Sequence, residues 1–171
     1  MTPSPTPNFT VRAVLWDMDG TLMNSQPIWD ESFRRRCRER GGTVTPEQVA
    51  GIAGASIART CELIAETGAT ASPEDPATAE VFAEISARVE AAVRADPPIL
   101  PGARSITATL NEIGLAQVIV TQSPRPIVEA VAHALGDVFV ELVTGDDGLP
   151  GKPTPAPYAA AIERLGLSPQ E

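Results

Sequence analysis

Two carboxylates, a glycine and a hydroxyl stand together in Asp17-Met18-Asp19-Gly20-Thr21. Paired carboxylates divide catalytic labour well, because one can attack an electrophile while the other moves protons. Asp17 and Asp19 lie two apart, so an extended backbone projects them to the same side. Gly20 permits a turn and a close approach of a ligand to the backbone. The segment directly follows an apolar run carrying Val11, Ala13, Val14, Leu15 and Trp16, which reads as a buried strand. In an open α/β sheet, ligands bind at the carboxyl end of such a strand. Asp-x-Asp-Gly also opens calcium loops, which need further oxygen ligands and a closing glutamate. Here the text runs on into Met23, Pro27 and Ile28, which disfavours calcium.

Two more apolar runs deliver polar groups in the same way. Residues 115–120 end in Thr121-Gln122-Ser123-Pro124. Residues 138–143 lead to Thr144-Gly145-Asp146-Asp147 and then Gly151-Lys152-Pro153. Alone, Thr121 reads as a hydroxyl satisfying a turn and Lys152 as a surface lysine. A carboxylate pair, a hydroxyl and a lysine in that order resemble the haloacid dehalogenase superfamily of phosphohydrolases. Trp16-Asp17-Met18-Asp19-Gly20-Thr21-Leu22, with Ser25-Gln26-Pro27-Ile28-Trp29 behind it, is similar to the subfamily that inserts a helical cap after the first motif. The resemblance extends over residues 11–169.

The resemblance implies an α/β fold with a three-layer, Rossmann-like parallel-sheet core and an inserted α-helical cap. It implies that Asp17 attacks phosphorus to form an aspartyl-phosphate, and that Asp19 serves as acid and then base. Thr121, Gln122 and Lys152 would bind the substrate phosphate. Mg2+ would be held by Asp17 and by the backbone carbonyl of Asp19. The implied function is magnesium-dependent hydrolysis of a small phosphorylated metabolite of sugar-phosphate type. Two alternatives stand beside it: a sugar phosphomutase, and a catalytically silent binding or regulatory domain. Mutases of this subfamily usually carry a histidine where Trp29 stands, which favours hydrolysis.

The sequence departs from the pattern twice. Asn24-Ser25-Gln26 replaces the usual Asp-Ser-Glu, keeping hydrogen-bonding shape while removing charge. The fourth motif, acids that complete the magnesium site on a strand after the last helix, is not reached by Ser168-Pro169-Gln170-Glu171. The expectation is a core truncated at its carboxyl end, weak magnesium binding and little phosphatase activity. A first strand with an unpaired edge would invite self-association. A fragment of a longer enzyme and a naturally short relative both fit this text.

These groups need a scaffold, and the periodicity supplies one. Trp29, Phe33 and Cys37 recur at helical spacing, Thr45-Pro46-Glu47 is a capped helix start, and Ser56 can cap a helix carrying Ile57, Cys61 and Ile64. Phe82, Ile85, Val89 and Val93 share a face of a longer helix ended by Asp96-Pro97-Pro98. Then βα alternation resumes, with expected helices carrying Ala103, Ile106, Leu110 and Ile113, then Ile127, Val131 and Leu135, then residues 155–165. A helix-only stretch inside an alternating pattern reads as an inserted domain. We place the cap at residues 23–98 and the core at 1–22 and 99–171.

The remaining features are read more plainly. Gly54-Ala55-Ser56 and Arg59 face the site in the resembling proteins, although Ser56 as a plain N-cap explains the same text. Asp146 and Asp147 read as loop acids, with a contribution to the metal site as the alternative. His133 reads as structural. Arg34-Arg35-Arg36-Cys37-Arg38-Glu39-Arg40 reads as a solvated helix face with Arg35 and Glu39 paired, or as an attractor of anionic substrate.

Composition narrows the class. The 171 residues are 43% hydrophobic and 20% charged, a globular mixture without a membrane-length apolar run. A net charge of −9 disfavours a general nucleic-acid binder. Cys37 and Cys61 lack metal-ligand spacing and read as reduced thiols of a cytoplasmic protein. The opening Met1-Thr2-Pro3-Ser4-Pro5-Thr6-Pro7-Asn8 lacks the basic and apolar parts of a signal peptide and reads as a disordered tail.

Overall fold

A computed structural model describes residues 11–168. The expected tail at Met1–Asn8 and the last three residues lie outside the described residues. Three short strands, β1 (Ala13–Trp16), β2 (Ala116–Val120) and β3 (Glu141–Val143), form a parallel sheet in the order β1-β2-β3. Leu15 pairs with Val118 and Trp16 with Ile119, while Val120 pairs with Val143, so the three carboxyl ends are level. That register brings the loops after all three strands to one edge.

Four helices follow β1 before the chain returns to the core: α1 (Gln26–Glu39), α2 (Pro46–Ala50), α3 (Ile57–Glu66) and α4 (Pro76–Ala95). They pack on one another through Phe33, Cys37, Val49, Leu63, Ile64, Val81 and Ile85. Their caps follow the sequence. Thr45 and Gln48 form a reciprocal capping box, Ser56 Oγ accepts from the Arg59 amide, and Asp75 accepts from Ala77. The chain leaves and re-enters the sheet region side by side. Asn24 N donates to the Pro98 carbonyl and Leu100 N to the Leu22 carbonyl, both at 2.9 Å, around an antiparallel bridge between Met23 and Ile99.

The remaining helices are α5 (Ala103–Glu112), α6 (Arg125–Ala134) and α7 (Ala156–Arg164), with a 3-10 turn at Gly145–Asp147 after β3. Successive side chains of β2 point to opposite faces. Ile119 joins Met18, Met23, Ile127 and Val131 on one side, while Val118 and Val120 meet Val143 and Ala161 on the other. Helices thus cover both faces, giving the three layers of an α/β fold. Gln117 is fully buried, accepting from Trp16 Nε1 at 3.0 Å and donating to the Thr107 carbonyl at 2.8 Å. It pins the residue before Asp17 to α5 across two strands.

Three expectations about the elements are corrected. β1 is half-buried along its length, because among the described residues it has a strand neighbour on one side alone. The third strand is shorter than the apolar run 138–143. Gly136 and Asp137 both turn through the left-handed region, and sheet pairing begins only when Val140 N reaches the Gln117 carbonyl. In α5 the inward face runs through Ala103 and Thr107, leaving Ile106 and Ile113 exposed. Thr107 can be interior because its hydroxyl donates to the Ala103 carbonyl at 2.9 Å, and Ile113 lies past the last helical turn. No helix among the described residues is long and apolar enough to cross a membrane.

Candidate active site

The turn after β1 is built from the motif itself. The Leu22 amide donates to the Met18 carbonyl at 2.9 Å and the Gly20 amide to the Met23 carbonyl at 2.7 Å. Gly20 supplies the positive φ (86°) that this reversal needs. Met18, Leu22 and Met23 are buried beneath it, which fixes the backbone that carries Asp17 and Asp19 above.

Asp17 and Lys152 meet across the strand ends. Lys152 Nζ donates to Asp17 Oδ1 at 2.5 Å and to the Val120 carbonyl, the last of β2, at 2.9 Å. Its ammonium also lies 5.3 Å from the Tyr158 ring centroid, within cation–π range. Thr21 Oγ1 donates to Asp17 Oδ2 at 3.1 Å. A residue 135 positions downstream thus closes on the carboxylate with an ion pair that is 22% exposed on the lysine side and 39% on the aspartate side.

Asp19 is gripped by three hydroxyls from three segments. Ser25, just before α1, donates to Oδ1 through a short bond. Ser123 Oγ donates to Oδ2 at 2.7 Å, and Thr121 Oγ1 donates to the same oxygen at 3.2 Å. Thr121 Oγ1 in turn accepts from the Ser123 amide. Ser25 and Ser123 were not singled out from sequence. Thr121 and Ser123 are spaced two apart after a strand, however, a signal that both side chains share a side.

Gln122 lies apart from this polar cluster. Its Nε2 donates to the Gly54 carbonyl at 2.7 Å, tying the loop after β2 to the loop before α3. Its Oε1 is buried with no hydrogen-bond partner among the described residues. Gly145 and Gly151 leave room for this residue: a Cβ on either would collide with Gln122, at its backbone carbonyl or its side-chain oxygen.

Other candidates take different places. Ser56 caps α3, and Arg59 pairs with Glu62 at 2.7 Å and Glu66 at 2.8 Å on the helix surface. Asp146 accepts from the Arg125 amide at the start of α6. Asp147 accepts from Thr144 and Arg125, each at 2.9 Å, and from Arg164 at 2.7 Å. Burial pushes the Asp147 carboxyl up, but the bonds from Thr144, Arg164 and Arg125 outweigh it and hold the group below its ordinary value. Both acids are therefore committed to joining β3, α6 and α7. The basic run of α1 is more than a solvated face: besides the Arg35–Glu39 pair, Arg36 and Arg40 reach Glu84 of α4, and Arg88 of α4 reaches Glu39. His133 is exposed and pairs with Asp137 at 3.0 Å. Burial pushes both cysteine thiols up.

The chemistry of this donor set can be tested against magnesium. Asp17 offers a carboxylate and Asp19 a backbone carbonyl, while Lys152 already holds one Asp17 oxygen. Among the described residues no group of three or more histidines, cysteines or acids is placed to hold a metal. Magnesium is commonly held by one or two carboxylates together with substrate phosphate and water. The residues fit it on those terms, with phosphate as a required ligand.

Between the sheet edge and the helical insertion lies a cleft of about 440 Å³, measured out to its open mouth. Asp19, Ser25, Gln122 and Ser123 form its floor, and Trp29, Ile52, Ile57 and Phe82 form much of its apolar wall.

Comparison with known proteins gives the same outline. A family model for haloacid dehalogenase-like hydrolases matches residues 11–171. Hexitol phosphatase A of Escherichia coli (strain K12) is 29% identical over 163 residues, covering 94% of this chain and 71% of that protein. Phosphoglycolate phosphatase of Rhodobacter capsulatus is 30% identical over 146 residues, covering 84% of this chain and 66% of that protein. The crystal structure of beta-phosphoglucomutase from Clostridium difficile superposes with a TM-score of 0.78 at 17% identity, covering 94% of this chain and 74% of that one. At that identity the superposition speaks to the fold alone.

Proposed function

The chain belongs to the haloacid dehalogenase-like hydrolases, and from that premise we propose that its site hydrolyses small phosphomonoesters of sugar-phosphate type through an aspartyl-phosphate. The observation that carries this reading is the Asp17–Lys152 pair at 2.5 Å, set at the level carboxyl ends of a parallel sheet beside a carboxylate held by hydroxyls. The names of two relatives, a hexitol phosphatase and a phosphoglycolate phosphatase, point to phosphorylated metabolites of this size.

In the proposed reaction a carboxylate oxygen of Asp17 attacks phosphorus, and the bond from phosphorus to the leaving oxygen breaks. Asp19 in its acid form gives a proton to that oxygen, releasing the alcohol. Asp19 then takes a proton from water as the water oxygen attacks phosphorus, which frees inorganic phosphate and restores the Asp17 carboxylate. Lys152 offsets the charge gathered at the phosphoryl oxygens, where preorganised donors contribute most to rate. Thr121 would complete the phosphate contacts, turning from Asp19 to the ligand, while the Gln122 side chain stays with the Gly54 carbonyl. Asp17 and the Asp19 carbonyl would hold magnesium, which supplies charge neutralisation at the transferring phosphoryl group.

Residues 23–98 would act as a cap over the core, attached by the paired crossings at Asn24 and Pro98. Trp29 lines the cleft rather than a histidine, which supports release of phosphate to water over transfer to a second hydroxyl. A phosphate-release assay over a panel of sugar and polyol monophosphates, with and without magnesium, tests the reading. Any turnover found is expected to need magnesium and Asp17; no turnover in the presence of measured phosphate binding would leave a silent binding domain.

A further inference from the structure

The cleft beside Asp19 is uneven in its chemistry. Of the residues that line it, Asp19 alone is charged. Its far wall is apolar, from Trp29, Ile52, Ile57 and Phe82, with Thr60 and Gln26 adding neutral polar groups.

Cations lie close by in sequence yet are engaged elsewhere. Arg59, next to Thr60, is paired with Glu62 and Glu66. Arg125, next to Pro124, is paired with Asp147 and also donates to the Leu142 carbonyl. Lys152 is committed to Asp17 and the end of β2. Amide nitrogens are occupied as well, Gln26 donating to Asp30 at 2.6 Å and Gln122 to the Gly54 carbonyl at 2.7 Å. Gln122 Oε1 is buried against Gly151, on the side away from this lining, and offers an entering ligand nothing.

We propose that this cleft selects phosphomonoesters whose alcohol portion is uncharged, and rejects those carrying a second anionic group. The inference rests on the reading of Asp17 and Lys152 as a phosphate-directed pair. A polyol or sugar offers a C–H face to Trp29 and Phe82 and hydroxyls to Gln26 and Thr60. A carboxylate in the same place would lose water against Ile57 with no cation among the lining residues, and burying an unpaired charge is costly. The net charge of −9 adds a field that opposes polyanions.

The test compares glycerol phosphate with phosphoglycerate, which differ by a hydroxymethyl group against a carboxylate. Binding to the full chain is measured by calorimetry, and turnover is measured in parallel with magnesium. Glycerol phosphate is expected to bind at least about tenfold more tightly. Ile57→Lys, which places a cation on the apolar wall, is expected to narrow that ratio by tightening phosphoglycerate. Equal or tighter binding of phosphoglycerate to the native chain overturns the inference, whether or not the variant folds. An unchanged ratio in a variant with a native melting profile overturns it too. Turnover of both compounds with equal kcat/KM removes the inference and leaves the hydrolase. The expected binding ratio without turnover removes the hydrolase and leaves the selectivity. Binding of neither compound, nor of inorganic phosphate, removes both.

Discussion

Lys152 Nζ sits between Asp17 Oδ1 and the Val120 carbonyl, so one ammonium joins the ends of β1 and β2. The pair is partly open to solvent, and exposed ion pairs add little to stability. On the proposed reading, its value lies in placing positive charge where a phosphoryl group would arrive.

Lys152→Met therefore separates function from folding. The substitution is expected to lower kcat by about 10²–10³-fold, the usual effect of deleting one preorganised stabilising group. Stability should change by no more than about 1 kcal/mol. Phosphate-release kinetics and a urea melt on the same preparation check both parts; a large stability loss with normal turnover would contradict the assignment.

Asp19 is predicted to act in proton transfer, with Ser123 positioning it. Asp19→Asn should slow turnover by about 10²–10⁴-fold. Ser123→Ala removes a 2.7 Å bond to Oδ2 and should lower kcat less, with KM nearly unchanged. A change in KM alone would show that Ser123 contacts substrate instead.

Much of this arrangement was legible in the sequence, for a physical reason. Strand periodicity followed by polar groups marks a sheet edge, and parallel pairing brings separate edges level, as Val120 with Val143 shows. Less legible was the threefold grip on Asp19, because Ser25 and Ser123 lie 6 and 104 positions from it and meet it only once the turn after β1 and the end of β2 are brought together. The place of Asp147 was hidden too, since its partners Arg125 and Arg164 lie 22 and 17 positions away and meet it only once α6 and α7 flank the sheet. In α5 a polar Thr107 took the inward position over Ile106, because a threonine hydroxyl can be satisfied by its own helix.

The Asp147 cluster predicts an acid-sensitive contribution to stability. The folded carboxyl is held below its ordinary value, so the contribution is fully present above the unfolded value of about 3.9. It is lost as pH falls through the lower folded value. Asp147→Asn should cost about 1–3 kcal/mol at neutral pH, given partners that are 39% and 35% exposed. Urea melts of both proteins at neutral pH and below pH ~4 should show that difference shrinking with acid; a difference independent of pH would place the stabilisation elsewhere.

The central claim is that Asp17 is the nucleophile, and covalent trapping tests it most directly. Acid quenching during turnover of an aryl phosphate, followed by peptide mass analysis, should find one added phosphoryl group on the peptide containing Asp17. Asp17→Asn should show no adduct and no turnover above background. Turnover without an adduct on that peptide, or equal turnover in Asp17→Asn, would contradict the account.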